Sequence, residues 1–191
     1  MKDVKLSYTL NISKEEAQTI IDNYFDSFPG LKASMDRYLL EVKRQGTVTS
    51  KFGRVRHLPR AKEIYRKFGD AILDFKALPR LAFKHKISMD ELKLVRKEYN
   101  NLLNNALNFP IQSAAASLVN RAAIAMSRTF LAEGLDAWVS IQIHDELVVS
   151  CSEECKHRAA EIVKHCMENT NKLKMPLIAE PQFAYNLRDG K

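Results

Sequence analysis

The sequence has 191 residues, of which 46% are hydrophobic and 28% charged, with only six Gly and six Pro. That balance excludes collagen-like, low-complexity and wholly disordered chains. Arg121 and Arg128 interrupt the longest apolar stretch, which therefore falls short of the roughly 20 residues a membrane span needs, so no membrane partner is expected.

Three cysteines give no disulfide framework, which predicts a reducing, cytoplasmic setting. The net charge is +7, and it is local: ten bases and two acids lie between Arg37 and Lys67, a segment of +8, leaving −1 for the rest. A basic field beside near-neutral surroundings suits either a solvated surface or a polyanion whose counterions are released on binding.

Ser13, with Glu16 three residues on, forms a capping box, and Ala17, Ile20, Ile21, Tyr24, Phe25 and Phe28 follow at helical spacing up to Pro29-Gly30. A second amphipathic helix through Leu31, Met35, Tyr38, Leu39 and Val42 is expected to end at Gly46. Thr47 to Ser50 and Arg54 to Leu58 read as a β-hairpin turning at Phe52-Gly53, whose arms carry the arginines. Residues 61–78 read as one helix with Ile64, Phe68, Ile72 and Phe75 on a face, stopped by Pro79. Ser88 and Glu91 start another, which Pro110 is expected to break.

From Ile111 to Glu133, Ala115, Leu118, Val119, Ala122, Met126 and Phe130 form a strong helical stripe ended by Gly134. Ala137 to Ile143 alternates, placing Val139, Ile141 and Ile143 on one face, and Leu147-Val148-Val149 follows a polar interruption, which predicts strand, tight turn, strand. Ser152 is placed as the cap of a helix burying Ala159, Ile162, Val163 and Cys166, and Leu177 to Phe183 as a late edge strand. Trp138 and Tyr185 are expected in the core. Cys151, Cys155 and Cys166, with His157 and His165 nearby, match no zinc-finger or ribbon spacing and are read as packed thiols.

The segment with most chemical content is Ile143-His144-Asp145-Glu146-Leu147. Adjacent carboxylates beside an imidazole at the tip of an apolar hairpin are either an ordinary polar turn or half of a site for Mg²⁺, which takes one or two protein carboxylates and fills the rest with water or phosphate oxygens. Two-metal phosphoryl transfer needs carboxylates from at least two elements. Asp136 lies in a loop and Glu180 on the expected edge strand, so neither supplies the second convincingly.

Four segments, in order, resemble the family A DNA polymerases. Gln142-Ile143-His144-Asp145-Glu146-Leu147-Val148 resembles motif C. Asn108-Phe109-Pro110-Ile111-Gln112-Ser113-Ala114-Ala115-Ala116 resembles the family's Asn-x-Pro-x-Gln-Gly-x-Ala-Ala stretch, and Gly53-Arg54-Val55-Arg56-His57-Leu58-Pro59 its Gly-Arg-x-Arg-x-Leu-Pro element. Leu10-Asn11-Ile12-Ser13, Glu16-Ala17, Tyr24-Phe25 and Phe28-Pro29-Gly30 resemble the stretch after the O helix of the fingers.

The resemblance implies an α+β fold, part of the polymerase right hand. Residues 1–107 would be the end of the fingers, with a basic hairpin and a helical insertion over about 60–100. Residues 108–191 would be the palm portion, with a small antiparallel sheet packed on helices. It implies that Asp145 and Glu146 hold Mg²⁺, that His144 lies near the primer end, and that Asn108 and Gln112 meet primer–template DNA at the minor groove. Amides there sense pairing geometry without reading sequence. Lys51, Arg54, Arg56 and Arg60 are the further DNA-binding candidates, and dNTP the implied nucleotide.

The sequence departs from the family at Ser113, where glycine is usual, and at Asn104, where many members have arginine. It also has no counterpart of motif A or of the O helix. The expectation is therefore a C-terminal subunit or fragment of a DNA-directed DNA polymerase from a bacterial or phage setting, inactive alone, with motif A, thumb and O helix on a second polypeptide. The alternatives are a non-catalytic DNA-binding protein and a small Mg²⁺-dependent nuclease using Asp145, Glu146 and Glu180.

Overall fold

The computed structural model describes residues 3–170 and 173–189. Its contacts divide the chain into two units, one of Met1–Thr49 with Gly53–Pro110 and one of Ser50–Phe52 with Ile111–Lys191. The fold is α+β, mostly helical, with two two-stranded antiparallel sheets.

The first unit opens with α1 (Asp3–Leu10), α2 (Lys14–Ser27) and α3 (Pro29–Gln45). The capping box is present: Glu16 N–H donates to Ser13 Oγ at 3.1 Å, and Ser13 N–H to Glu16 Oε2 at 2.9 Å. The Ser13 N–H and, secondarily, the Ser13 hydroxyl both donate to Glu16 Oε2 and hold the Glu16 carboxyl below its ordinary value. α1 lies before the capping box, where no helix was expected. On α2 only Ala17 is buried. Ile20, Tyr24 and Phe28 stay about half exposed, with the Tyr24 ring edge-on to Phe25 and tilted against Phe28.

Pro29 starts α3 as a first-turn residue, where its missing N–H costs nothing. Gly46 ends α3 with φ 75°, its N–H donating to Val42 O at 2.9 Å. β1 (Thr47–Thr49) then pairs with β2 (Val55–His57) in the register Thr47 to His57, as the predicted hairpin requires.

The predicted helix over 61–78 is instead α4 (Pro59–Phe68), two 3₁₀ turns (Asp70–Leu73, Phe75–Ala77) and α5 (Leu78–His85). Gly69 at φ 64° ends α4, and Pro79 sits in the first turn of α5, so it begins a helix where it was expected to stop one. Ile64, Phe68 and Ile72 are buried as expected, while Phe75 is 64% exposed.

α6 (Met89–Ala132) runs unbroken through Pro110, with Ser88 Oγ accepting from Glu91 N–H at 3.2 Å. Pro110 removes one bond to the Ala106 carbonyl, but Ala106 and Leu103 lie in the first unit's core and Pro110 itself is buried. Helix-wide packing outweighs the loss of one hydrogen bond. That core also contains Val42, Val48, Leu58, Ile64, Leu78, Leu92 and Tyr99.

Tyr99 is fully buried with its hydroxyl unpartnered. Desolvation first, then the charges of Asp70 and Tyr65, push its pKa up. Tyr99→Phe is therefore expected to raise stability by about 1 kcal/mol, because it removes an unsatisfied buried donor without leaving a cavity. The midpoint of urea unfolding reads this, and a lower midpoint would mean the hydroxyl has a partner after all.

The second unit packs the later part of α6 against α7 (Lys156–Asn169) and one face of the β3 (Ala137–Ile143) and β4 (Glu146–Cys151) hairpin. Ala122, Met126, Phe130, Ala159, Ile162 and Cys166 form its core. Beyond the end of α6, Glu133 meets Arg158 of α7 through two bonds of 2.8 and 2.7 Å, and Arg158 also reaches Glu161. The pairing holds Glu133 below and Arg158 above its ordinary value.

A bulge at Ser140 interrupts the alternation of β3. Val139 pairs with Val149 and Ile141 with Val148, so Ser140 is the extra residue, its Oγ 2.6 Å from Ser150 Oγ. Val139 is half-buried while Ile141 and Ile143 are exposed, so the expected three-residue apolar face is not formed.

Ser152 precedes a 3₁₀ turn (Glu153–Cys155) and its side chain meets Cys155 Sγ instead of capping a helix N–H. Leu177 to Phe183 is extended but forms no strand. Pro176 and Pro181 lack donors, and Ala179 N–H bonds the Glu168 carboxylate. Trp138 and Tyr185, expected in the core, are 54% and 94% exposed. No described helix is long and apolar enough to cross a membrane.

Candidate nucleotidyl-transfer site

His144 and Asp145 form the two-residue loop between β3 and β4, with Ile143 paired to Glu146. A loop this short needs a positive φ at its first position, and His144 adopts 54°. A left-handed backbone at a non-glycine residue costs roughly 1–2 kcal/mol, so the imidazole is kept here at a conformational cost that glycine would avoid.

His144, Asp145 and Glu146 are all exposed. Among the described residues neither carboxylate accepts a side-chain hydrogen bond or forms an ion pair, although the chain forms seven salt bridges elsewhere. The donor set, two hard carboxylates without a cationic partner, fits Mg²⁺. No group of three or more His, Cys, Asp or Glu side chains that could hold a metal gathers among the described residues. Glu180, exposed in the extended tail, therefore does not join Asp145 and Glu146 as the nuclease alternative requires. The same holds for the cysteines and their neighbouring histidines; burial pushes the Cys151 and Cys166 thiols up, as in packed thiols.

In the second unit, Gln112 is exposed on α6, while Ser113 behind it is only 7% exposed with an unpartnered hydroxyl. The residue that departs from the family pattern thus places its extra atoms in the packing, not at the surface. Lys51 is exposed beside Phe52, whose ring lies 4.4 Å from the Arg121 guanidinium.

In the first unit, Asn108 is exposed on α6. Next to it the Phe109 ring lies 5.9 Å from the guanidinium of Arg56, so the hairpin arm and the Asn108 turn meet. Arg54 and Arg56 are exposed on the hairpin. Glu63 and Glu98 hold the Arg60 guanidinium at 3.2 and 3.3 Å and raise its pKa. Sequence spacing gave no sign of Glu98, which approaches from 38 residues away. The Phe109 contact was equally invisible, because cation–π partners carry no sequence signature.

An acidic hairpin and a basic hairpin thus share one α+β chain. The chain belongs to DNA polymerase family A, whose model matches residues 1–189. It is 30% identical over 191 residues to DNA polymerase I of Bacillus caldotenax, covering 100% of this chain and 18% of that protein. It is 31% identical over 181 residues to DNA polymerase I of Pseudomonas aeruginosa, covering 95% and 16%. The chain thus spans less than a fifth of the length of these relatives. Among solved structures it is similar to the POL domain of Pol1 from M. smegmatis in complex with DNA primer-template and dNTP. That match has TM-score 0.68 at 24% identity, over 92% of this chain and 26% of the other, a likeness of fold.

Proposed function

We propose that the chain is the C-terminal part, a subunit or a fragment, of a DNA-directed DNA polymerase whose motif A, thumb and O helix lie outside these 191 residues. The observation that carries the reading is the acidic hairpin tip: Asp145 and Glu146 are presented to solvent with no lysine or arginine of the described chain to neutralise them. Anions left unpaired at a strained turn suit a cation brought by assembly.

In this reading Asp145 would hold Mg²⁺ together with a carboxylate from outside these residues, and Glu146 would assist. When bound, the ions would activate the primer 3′-hydroxyl and offset charge on the α-phosphate and the departing pyrophosphate of the dNTP. His144, fixed by its left-handed backbone, orients the primer end. Asn108 and Gln112 donate to minor-groove acceptors of the primer–template, and Lys51, Arg54 and Arg56 neutralise its phosphates. Arg60 serves DNA only by leaving Glu63 and Glu98.

Primer extension with Mg²⁺ tests the reading, using the chain alone, a motif A-bearing polypeptide alone, and the two mixed. Product only in the mixture is expected. Extension by the single chain, or none from a mixture that forms a stable complex on primed DNA, would overturn it. Mg²⁺-dependent cleavage by the lone chain would favour the nuclease alternative.

A further inference from the structure

Between Phe75 and Met89 the chain carries Lys76, Arg80, Lys84 and Lys86 and no Asp or Glu. α5, at the centre of this stretch, has two faces. Leu78, Leu81 and Ala82 are buried in the first unit's core. Pro79, Arg80, Phe83 and Lys84 point to solvent, with Lys76 one turn earlier on the preceding 3₁₀ turn. Phe83 is 89% exposed, although a ring of its size normally finds cover.

None of the four cations forms an ion pair among the described residues, whereas Arg60 and Lys93 nearby both do. The platform beneath is braced. The Arg96 guanidinium lies 3.7 Å from the Phe75 ring centroid and donates twice to Leu73 O, and the Phe68 ring packs edge-on to His85 at 4.8 Å.

A bare aromatic ring set among unneutralised cations is the arrangement that recognises single strands. Unpaired bases offer a π-face for stacking while the phosphates on either side meet the charges; a duplex hides its base faces and offers only phosphates. One ring provides too little apolar area for an amphipathic membrane helix, and four unpaired cations favour an anionic partner. We propose that the outer face of α5 binds single-stranded DNA, Phe83 stacking on an unpaired base and Lys76, Arg80 and Lys84 contacting the flanking phosphates. It rests on the polymerase reading only in naming that strand as the unpaired template.

Fluorescence anisotropy of the chain with a labelled oligothymidylate and with a blunt duplex of equal length tests it. Phe83→Ala, at an exposed position that leaves the fold intact, is expected to weaken oligothymidylate binding about tenfold and duplex binding less than about twofold. Replacing Lys76, Arg80 and Lys84 together by Gln should reduce the slope of log affinity against log salt by about 2, at roughly 0.7 per phosphate contact on a single strand.

Equal weakening of both ligands by Phe83→Ala, no weakening, or an unchanged salt slope would overturn the proposal. So would Phe83-dependent binding to phosphatidylserine vesicles with oligothymidylate binding unaltered. Phe83-dependent binding in a chain that never supports extension would sink the polymerase reading alone, and extension with Phe83-independent binding would sink this one alone.

Discussion

Asp145→Asn is expected to lower primer extension by the assembled enzyme by roughly 10³-fold or more, since a catalytic metal site supplies several kcal/mol of transition-state stabilisation. The substitution keeps the shape of the side chain and removes only its charge. The position is exposed and makes no described hydrogen bond or ion pair, so the fold should not notice the change. Affinity for primed DNA should stay within about threefold, because in the proposed reading phosphate contacts on the basic hairpin would supply most of it. Glu146→Gln should be milder, as befits an assisting ligand. Single-turnover extension at saturating Mg²⁺ is the measurement. Retention of more than about a tenth of the rate, a cost under the 1.4 kcal/mol of one decade, would mean that this carboxylate does not hold the reacting cation.

The second large effect is structural. Gly46→Ala is expected to cost about 2–3 kcal/mol, the sum of a left-handed backbone forced on alanine and a steric conflict at the root of the hairpin. Gly46 has φ 75°, and a Cβ there would sit 3.2 Å from Pro59 Cα and 3.4 Å from Lys62 Cβ. The first of these is backbone, so α4 itself would have to shift. Gly46 also binds both ways along this corner: its N–H caps α3 through Val42 O, and its carbonyl accepts from Leu58 N–H at 2.6 Å. Chemical denaturation reads the loss, and faster amide exchange at Leu58 locates it. A change below about 0.5 kcal/mol, the scatter of an ordinary surface substitution, would show that the corner yields freely.

What was legible in the sequence was local chemistry with a short reach. The capping box at Ser13 and Glu16, the cap at Ser88, the 47–57 hairpin and the β3–β4 ribbon all follow from side chains within four residues of one another or from strict alternation. Family membership was legible because four ordered segments each carry several identities.

The misreadings share a cause: a local rule was outweighed by packing that only the folded chain reveals. Pro110 was expected to break a helix, yet burial around Ala106 keeps α6 continuous. Pro79 was read as a stop because the two 3₁₀ turns before it are invisible to a helical periodicity. Leu177 to Phe183 has strand-like composition but pairs with no neighbouring strand. At the site, the residue types were recognised, while the ties that decide their availability, Glu98 on Arg60 and Phe109 under Arg56, come from distant positions.

The extra residue at Ser140 kinks the ribbon that ends in the acidic tip. A bulge leaves its own side chain little constrained. Ser140 should therefore tolerate many replacements, and even its deletion, which leaves Ile141 opposite Val148, should remove the kink while keeping the run from Ile141 to Ile143 on its present faces. For anyone redesigning this ribbon, the pairing of Ile141 with Val148 is what to conserve, and the identity of residue 140 is secondary.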